Sequence, residues 1–527
     1  MDKVWTVKIT GPAGTGIKSA GLLLAQIISE SGYNLKDYSE YPSLVRGGHN
    51  TYQVSFSVGE IFCVHKTIDV LVSLAKGHWQ EHEKEFTKDT LVFADNDGKI
   101  DIPLKEMCAQ LGASIYTNTI SIGLISYLLD IKKELVLKIL KKHFGDDSVN
   151  LKAFEAGYVW GENNCQKFSV DKGKNKNKKI ILDGNEATGW GLYKAGLNMF
   201  VAYPMTPATG LLHFLAKNQD EFKMKVIHPE DEIAVASIAS GASMAGSRAA
   251  VGTSGGGFAL MTETISFDAM AGLGVVYYLS QRPGPATGMP TWTSQGDLLF
   301  AVHSGHGEFP KIVLAPGDWE EAFEFGKLSL NMANKFDVPV ILLSDKNLSE
   351  SSANTIDFNL EKTDIVASKK EVPGKGQTIK MYNSYEHDED GFSIEGAEES
   401  KKMADLRTKK MKDILKEMPK VNLFGSSKAK KIIVSWGSTK GAILESLKEM
   451  KNKEDYAFLQ IRGMWPINPK IGQIIGAFKE RILIENNADA QLESLLRSQM
   501  TVEFTKRILK YDGRPFFPEE LKEALND

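Results

Sequence analysis

Short apolar runs that end in glycine or proline, each followed by a stretch of helical period, recur along this chain. That alternation confines it to sheets flanked by helices. Val4 to Ile9 leads through Gly-Pro-Ala-Gly-Thr-Gly into the apolar-periodic Ile17 to Ile28, and Val70 to Leu74, Thr90 to Phe93 and Ser114 to Tyr116 read as further strands. Such a rhythm predicts α/β architecture with parallel, doubly wound sheets. It restarts at Lys179-Ile-Ile-Leu182, with strands at Asn198 to Ala202, Ala249 to Thr253, Gly274 to Leu279 and Val338 to Leu343. It restarts again at Lys431-Ile-Ile-Val-Ser-Trp436, followed by Ala457 to Ile461 and Arg481 to Glu485.

A chain of 527 residues exceeds what one core supports, so three doubly wound α/β domains are expected. Their boundaries fall at residues 1–166, 178–350 and 429–527, with a charged connecting segment at 351–428. Within that segment Ser400 to Glu417 has helical spacing, while the lysine-rich stretch from Lys172 to Lys179 reads as a solvated linker. The tail around Arg514-Pro-Phe-Phe-Pro518 reads as an extended arm.

Lysine and arginine number 63 against 67 acids, a balance that does not suggest a general nucleic-acid binder. Cys63, Cys108 and Cys165 are far apart and form no CxxC pair. A cubane iron–sulfur cluster normally takes four thiolates, so none is expected in this chain, nor any metal site of its own. The N-terminus lacks a signal-peptide core, and no apolar stretch is long enough to span a bilayer. A soluble cytoplasmic protein is the expectation, with neither nucleic acid nor membrane as partner.

Several loops carry chemistry. Gly11-Pro-Ala-Gly14-Thr-Gly16 follows a strand and opens a helix, so its amides are placed to cradle an anion. It departs from the phosphate-loop pattern because Ile17 separates Gly16 from Lys18. A ligand-free turn and a phosphate-bearing ligand both stay open. Tyr41-Pro-Ser-Leu-Val-Arg46-Gly-Gly-His49 offers an arginine beside glycines, and is read equally well as a packed turn. In Tyr385-Glu-His-Asp-Glu-Asp390-Gly, a charged surface loop is preferred to a cation site.

The middle unit is richer. Tyr203-Pro204-Met-Thr206-Pro207 comes off a strand end, where prolines stiffen the loop and hold a hydroxyl. His228-Pro-Glu-Asp-Glu232 opens a helix of small residues, so Glu232 either complements the helix dipole or is carried into a buried interface. A buried carboxyl shares a proton readily with a ring nitrogen. Thr253-Ser-Gly255-Gly256-Gly257 permits close backbone approach, and Arg282 in Arg282-Pro-Gly-Pro-Ala-Thr-Gly-Met-Pro-Thr291 offers a fork for a carboxylate.

The order YPMTP, PEDEIA, TSGGGFALMTE and RPGPATGMPT resembles the alpha subunit of 2-oxoacid:ferredoxin oxidoreductases. GPAGTGIKSAG with YPSLVRGGHN resembles the family's gamma unit, and EHDEDG, WGST, RGMWP and ENNADAQL resemble its later landmarks. Two mild departures stand out: Met205 where a β-branched residue is common, and TSGGGF carrying glycine where proline is usual. The resemblance implies a gamma domain, a thiamine-diphosphate pyrimidine-binding domain and a transketolase C-terminal-like domain. It implies that Glu232 bonds the aminopyrimidine N1′, that Thr206 lies near the reactive carbon, and that Arg282 and Thr291 bind substrate. Tyr203, Pro204, Gly255 and Gly256 would line the cofactor, and Gly14, Gly16 and Arg46 a coenzyme A or gamma-domain loop. No GDG…N-type segment for magnesium and diphosphate is found here. A beta subunit is therefore expected to bring Mg2+, the diphosphate site and a 4Fe-4S cluster, in an (αβ)2 assembly that reduces ferredoxin. The fused gamma–alpha form points to 2-oxoglutarate. Pyruvate, branched-chain or aryl 2-oxoacids remain alternatives, as does a non-oxidative thiamine-diphosphate lyase or transferase.

Overall fold

A computed structural model describes residues 2–43, 47–146, 148–174, 179–356, 365–366, 374 and 381–526. Three sheets are distributed over two compact units. The first unit comprises Met1–Leu182, Ser351–Phe358 and Phe517–Asp527; the second comprises Asp183–Glu350 and Asn359–Phe516.

The first unit is built on an eight-stranded sheet. Trp5–Ala13 runs parallel to Ile68–Ser73, which in turn pairs in parallel with Phe86–Ala94. On its other side it meets Gly47–Ser57 antiparallel, with Val7 opposite Val54 and Ile9 opposite Tyr52. Asn34–Glu40 pairs antiparallel with Gly47–Ser57, and Ser352–Ile356 antiparallel with Asn34–Glu40. The expectation of an all-parallel sheet is therefore corrected here. Asn34–Glu40 and Gly47–Ser57 are antiparallel neighbours close in sequence, a pairing that needs no crossover helix. The strand Lys179–Asp183 lies at the edge of this same sheet.

The Ile17–Glu30 helix covers one face through Ala20, Leu23, Leu24, Ile27 and Ile28. Ser114–Tyr116, expected as a strand, is instead a single 3-10 turn leading into the Thr117–Leu128 helix. The Thr117 hydroxyl donates to the Ser114 carbonyl at 2.7 Å, a local bond that favours a turn over a ladder. The extended tail ends in a helix, Pro518–Asn526, that belongs to this unit. Its Glu519 accepts the backbone N–H groups of Lys66 and Thr67 at 3.1 and 3.3 Å.

In the second unit a seven-stranded sheet runs Gly463–Trp465, Ile312–Leu314, Val340–Asp345, Val275–Gln281, Ala249–Thr253, Met199–Val201, Lys225–Ile227. All neighbours are parallel except the Gly463–Trp465 edge. Every residue of Val275–Gln281 is buried, as expected where helices cover both faces. A five-stranded sheet centred on Lys431–Trp436 completes the unit. Val251, Phe258 and Tyr277 share one apolar core with Ile432, Trp436 and Leu459. The α/β class expected from the sequence holds throughout.

The first unit also encloses a chain of polar side chains. Lys8 pairs with Glu85; Glu85 Oε2 lies 3.1 Å from His82 Nδ1; His82 Nε2 lies 2.7 Å from His49 Nε2; and His49 Nδ1 lies 2.9 Å from His78 Nδ1. One set of neutral tautomers satisfies every link: His82 donates to Glu85, His49 to His82, and His78 to His49. A second proton on His49 would aim an N–H at the N–H of His78. Burial, with His82, His78 and Lys8 adding to it, lowers His49 to about 4. Unfolded His49 titrates near 6.5, so its neutral burial stabilises the fold above that pH and loses effect as pH falls from about 6.5 to 4. Denaturant unfolding across that window is expected to lose stability, and His49→Gln to flatten that part of the slope. An unchanged slope in the variant would exclude His49 as its source.

Candidate active site

Four adjacent parallel strands bring the site together at their carboxyl ends, where α/β sheets place ligands. Val201 is level with Ile227 on one side and Val251 on the other, and Val251 with Tyr277, so the four following loops leave the sheet as neighbours.

After Lys225–Ile227 the chain turns into the Glu232–Met244 helix. Asp231 caps it by accepting the Ala234 N–H at 2.7 Å, which makes Glu232 the first helical residue. Glu232 is only 5% exposed, and its carboxylate makes no hydrogen bond among the described residues. Gly257 gives it room: a Cβ there would stand 2.6 Å from Glu232 Oε1 and 2.2 Å from Thr253 Oγ1. Gly257 lies in the first turn of the Gly255–Ala271 helix, so unpaired backbone N–H groups open beside the carboxylate.

The loop after Met199–Val201 carries Tyr203, Pro204, Met205 and Thr206, with a cis peptide bond before Pro207. Asn185 holds it by donating Nδ2 to the Pro207 carbonyl at 3.0 Å. Arg282, directly after Val275–Gln281, donates Nη1 to the Thr206 carbonyl at 2.9 Å. The rest of its guanidinium is unengaged among the described residues. Burial lowers Arg282 from its ordinary value, against the pull of Asp297. Thr291 is buried further along the same loop, and Tyr203 is exposed with its ring 5.7 Å from that of His228.

Glu232, Thr206, Arg282, Gly255 and Gly256 are thus brought together. Gly14 and Gly16 belong to the other unit, both with left-handed φ, at 89° and 77°. A Cβ on Gly16 would meet Asn118 Nδ2 at 2.5 Å, and that nitrogen donates to the Thr15 carbonyl at 2.8 Å. Arg46 lies outside the described residues. In the acidic loop, Glu386 is held by both terminal nitrogens of Arg407 at 2.8 and 2.6 Å, while Asp388 accepts the Asp390 and Phe392 N–H groups. That arrangement fits the surface loop preferred from sequence.

Two residues escaped sequence reading. The Ser254 hydroxyl and Asp297 Oδ2 are buried without a hydrogen-bond partner. Asp297 precedes the Leu298–His303 helix, a position that reads as an ordinary N-cap, yet its side chain makes no cap bond. Burial pushes its carboxyl up to about 6, with Arg282 opposing. Buried polar groups left without a protein partner beside glycines leave room for a ligand to satisfy them.

Comparisons with known proteins agree with this geometry. A family described as "Pyruvate flavodoxin/ferredoxin oxidoreductase, thiamine diP-bdg" matches residues 190–411, and "Pyruvate ferredoxin/flavodoxin oxidoreductase" matches residues 6–160. The chain is 30% identical to the 2-oxoacid:ferredoxin oxidoreductase subunit alpha of Saccharolobus solfataricus, over 98% of this chain and 96% of that protein. It is 41% identical to the 2-oxoglutarate synthase subunit KorA of Archaeoglobus fulgidus over 32% of this chain and 48% of that one. A solved 2-oxoglutarate:ferredoxin oxidoreductase from Magnetococcus marinus superposes with a TM-score of 0.94 at 25% identity, covering 100% of this chain and 99% of that one. The fold and site define an oxidoreductase subunit with a thiamine-diphosphate-binding domain. The chain belongs to the alpha-subunit family of the 2-oxoacid:ferredoxin oxidoreductases. No helix among the described residues is long and apolar enough to cross a membrane.

Gly257→Ala is expected to force Glu232 and Thr253 apart and to cost about 1–3 kcal/mol, as overpacking does. Urea unfolding of the variant measures this; unchanged stability would show that the carboxylate does not need that space.

Proposed function

We propose that this chain is the substrate-side subunit of an enzyme that oxidatively decarboxylates 2-oxoglutarate with coenzyme A, giving succinyl-CoA and CO2 and reducing ferredoxin. The observation that carries this reading is the buried Glu232 carboxylate, unpartnered against Gly257. It is suited to hydrogen-bond a ring nitrogen of thiamine diphosphate and to hold a proton there. When bound, that cofactor supplies the carbanion chemistry that this chain lacks. Thr206 serves beside the reacting centre, a role supported by the Asn185 and Arg282 bonds that hold its loop. Arg282, with its fork still open, binds the substrate carboxylate, and buried Thr291 lines the same pocket. Tyr203, Pro204, Gly255 and Gly256 pack against the cofactor, and Gly255 to Gly257 keep its approach clear of side chains.

A beta subunit completes the site with Mg2+, the diphosphate-binding residues and a 4Fe-4S cluster, in an (αβ)2 assembly. The Gly14–Gly16 loop, with Arg46, is assigned to coenzyme A or to gamma-domain contacts. Three free cysteines fit a reducing cytoplasm. The choice of 2-oxoglutarate is supported by the names of the Archaeoglobus fulgidus and Magnetococcus marinus proteins.

The purified complex with its partner subunit is expected to reduce viologen in a CoA-dependent manner, fastest with 2-oxoglutarate among a panel of 2-oxoacids. Preference for another 2-oxoacid would replace the substrate, and inactivity with all of them would remove the assignment. Glu232→Gln is expected to lower turnover by about 10²-fold or more while the complex still assembles. Full activity of that variant would refute the role of Glu232.

A further inference from the structure

Asp297, like Glu232, is a buried acid of the second unit whose side chain finds no hydrogen-bond partner among the described residues. Its carboxylate lies against Gly255, where a Cβ would stand 2.7 Å from Oδ2 and 3.1 Å from Oδ1. Oδ2 is buried without a hydrogen bond. Arg282 is the charged group that acts on it, yet the two form no ion pair among the described residues, and Arg282 instead donates to Thr206. The other buried acids of this region are placed or engaged elsewhere. Glu232 sits against Gly257 in the same glycine run. Asp345 is taken up by Thr293 Oγ1, the Leu348 N–H and the Ser438 N–H. Gln281 Oε1 accepts only the Asp297 backbone N–H, at 2.9 Å.

Arg282 directly follows the glutamine that holds the Asp297 N–H, and its open fork is not filled by that acid. A substrate carboxylate arriving on Arg282 would place a second anion in the same poorly hydrated space. Two carboxylates sharing one cation do not both stay ionised without cost, so one of them holds a proton. Asp297, already pushed upward by burial, is the one that takes it.

We propose that Asp297 is a positioning residue for the 2-oxoacid: it carries a proton while the substrate carboxylate lies on Arg282, and releases that proton when the substrate leaves. Ionised Asp297 competes for the arginine and weakens substrate binding, whereas protonated Asp297 leaves the fork to the substrate. This rests on the reading of Arg282 as the substrate's anchor.

The test is the pH dependence of KM and kcat for 2-oxoglutarate in the complete complex, followed by viologen reduction. KM is expected to be flat below about pH 6, where Asp297 is protonated, and to rise about tenfold per pH unit above it. Asp297→Asn carries a neutral amide in the same place, and because Asp297 makes no cap bond the Leu298–His303 helix loses none. Its KM is expected to lose the rise, the change falling on KM. A wild-type KM that stays flat overturns the proposal, and so does a variant KM that climbs as the wild type's does. Should Asp297→Asn fail to assemble, Asp297→Glu keeps a titrating group, and its KM is expected to rise with pH at a displaced midpoint; an unmoved midpoint assigns the titration elsewhere and overturns the proposal. A complex that turns over no 2-oxoacid at any pH would sink the site assignment itself, an outcome distinct from a flat profile in an active enzyme.

Discussion

The approach of the Glu232 carboxylate to Gly257 sets the terms for everything around it. At 2.6 Å from where a Cβ would be, the carboxylate occupies volume that any other residue at position 257 would claim. That closeness requires the Glu232–Met244 and Gly255–Ala271 helices to pack tightly, and a polar tie fixes their spacing. Ser240 Oγ donates to Asp268 Oδ1 at 2.5 Å, and Tyr277 Oη donates to Asp268 Oδ2 at 2.7 Å, linking both helices to the Val275–Gln281 strand. The small residues Ala236 and Ala239 on the buried face of the first helix allow the approach.

Comparison among buried acids shows why Glu232 and Asp297 differ from structural ones. Asp268 is met by two hydroxyls. Glu485 accepts from Trp436 Nε1, Asn487 Nδ2 and the Leu492 N–H, at 2.8, 3.0 and 3.0 Å. Such acids are compensated inside the chain, whereas an uncompensated one costs free energy that a ligand can recover. Glu232 and Asp297 both lie against the glycine run, the first at Gly257 and the second at Gly255.

Much of this was legible in the sequence. Ala249–Thr253 and Lys431–Trp436 were bounded correctly from their apolar runs, and the four strand-end loops were found because proline and glycine punctuate them. The Gly47–Ser57 strand was not seen. Its Tyr52, Val54 and Phe56 alternate with polar residues, but a reading tuned to continuous apolar runs passes over such alternation. The three-residue Ser114–Tyr116 turn failed for the opposite reason, since so short an apolar string has no period. Asp297 was invisible because its position is an ordinary helix cap, and nothing in the sequence signals that the cap bond is not made.

The five-stranded sheet contributes to the site through the loop that bears Arg282 and Asp297. Gln295, within that loop, is held on every side. Its N–H donates to the Asn486 carbonyl at 2.8 Å, its Oε1 accepts the Asn486 N–H at 2.9 Å, its Nε2 donates to the Trp436 carbonyl at 2.8 Å, and its carbonyl accepts Asn487 Nδ2 at 3.0 Å. Gly437 makes the Trp436 bond possible, because a Cβ there would stand 2.6 Å from Gln295 Nε2. Further out, Arg514 stacks on Trp292 at 3.7 Å, and the Thr293 N–H donates to the Gly513 carbonyl at 3.0 Å. The connection from Arg282 to Asp297 is thereby tied to the five-stranded sheet at Trp292, Thr293 and Gln295. The Trp-Gly-Ser-Thr and Glu-Asn-Asn segments, which in the sequence are only landmarks, gain a physical role from this: through Gln295 they hold the loop that carries Asp297.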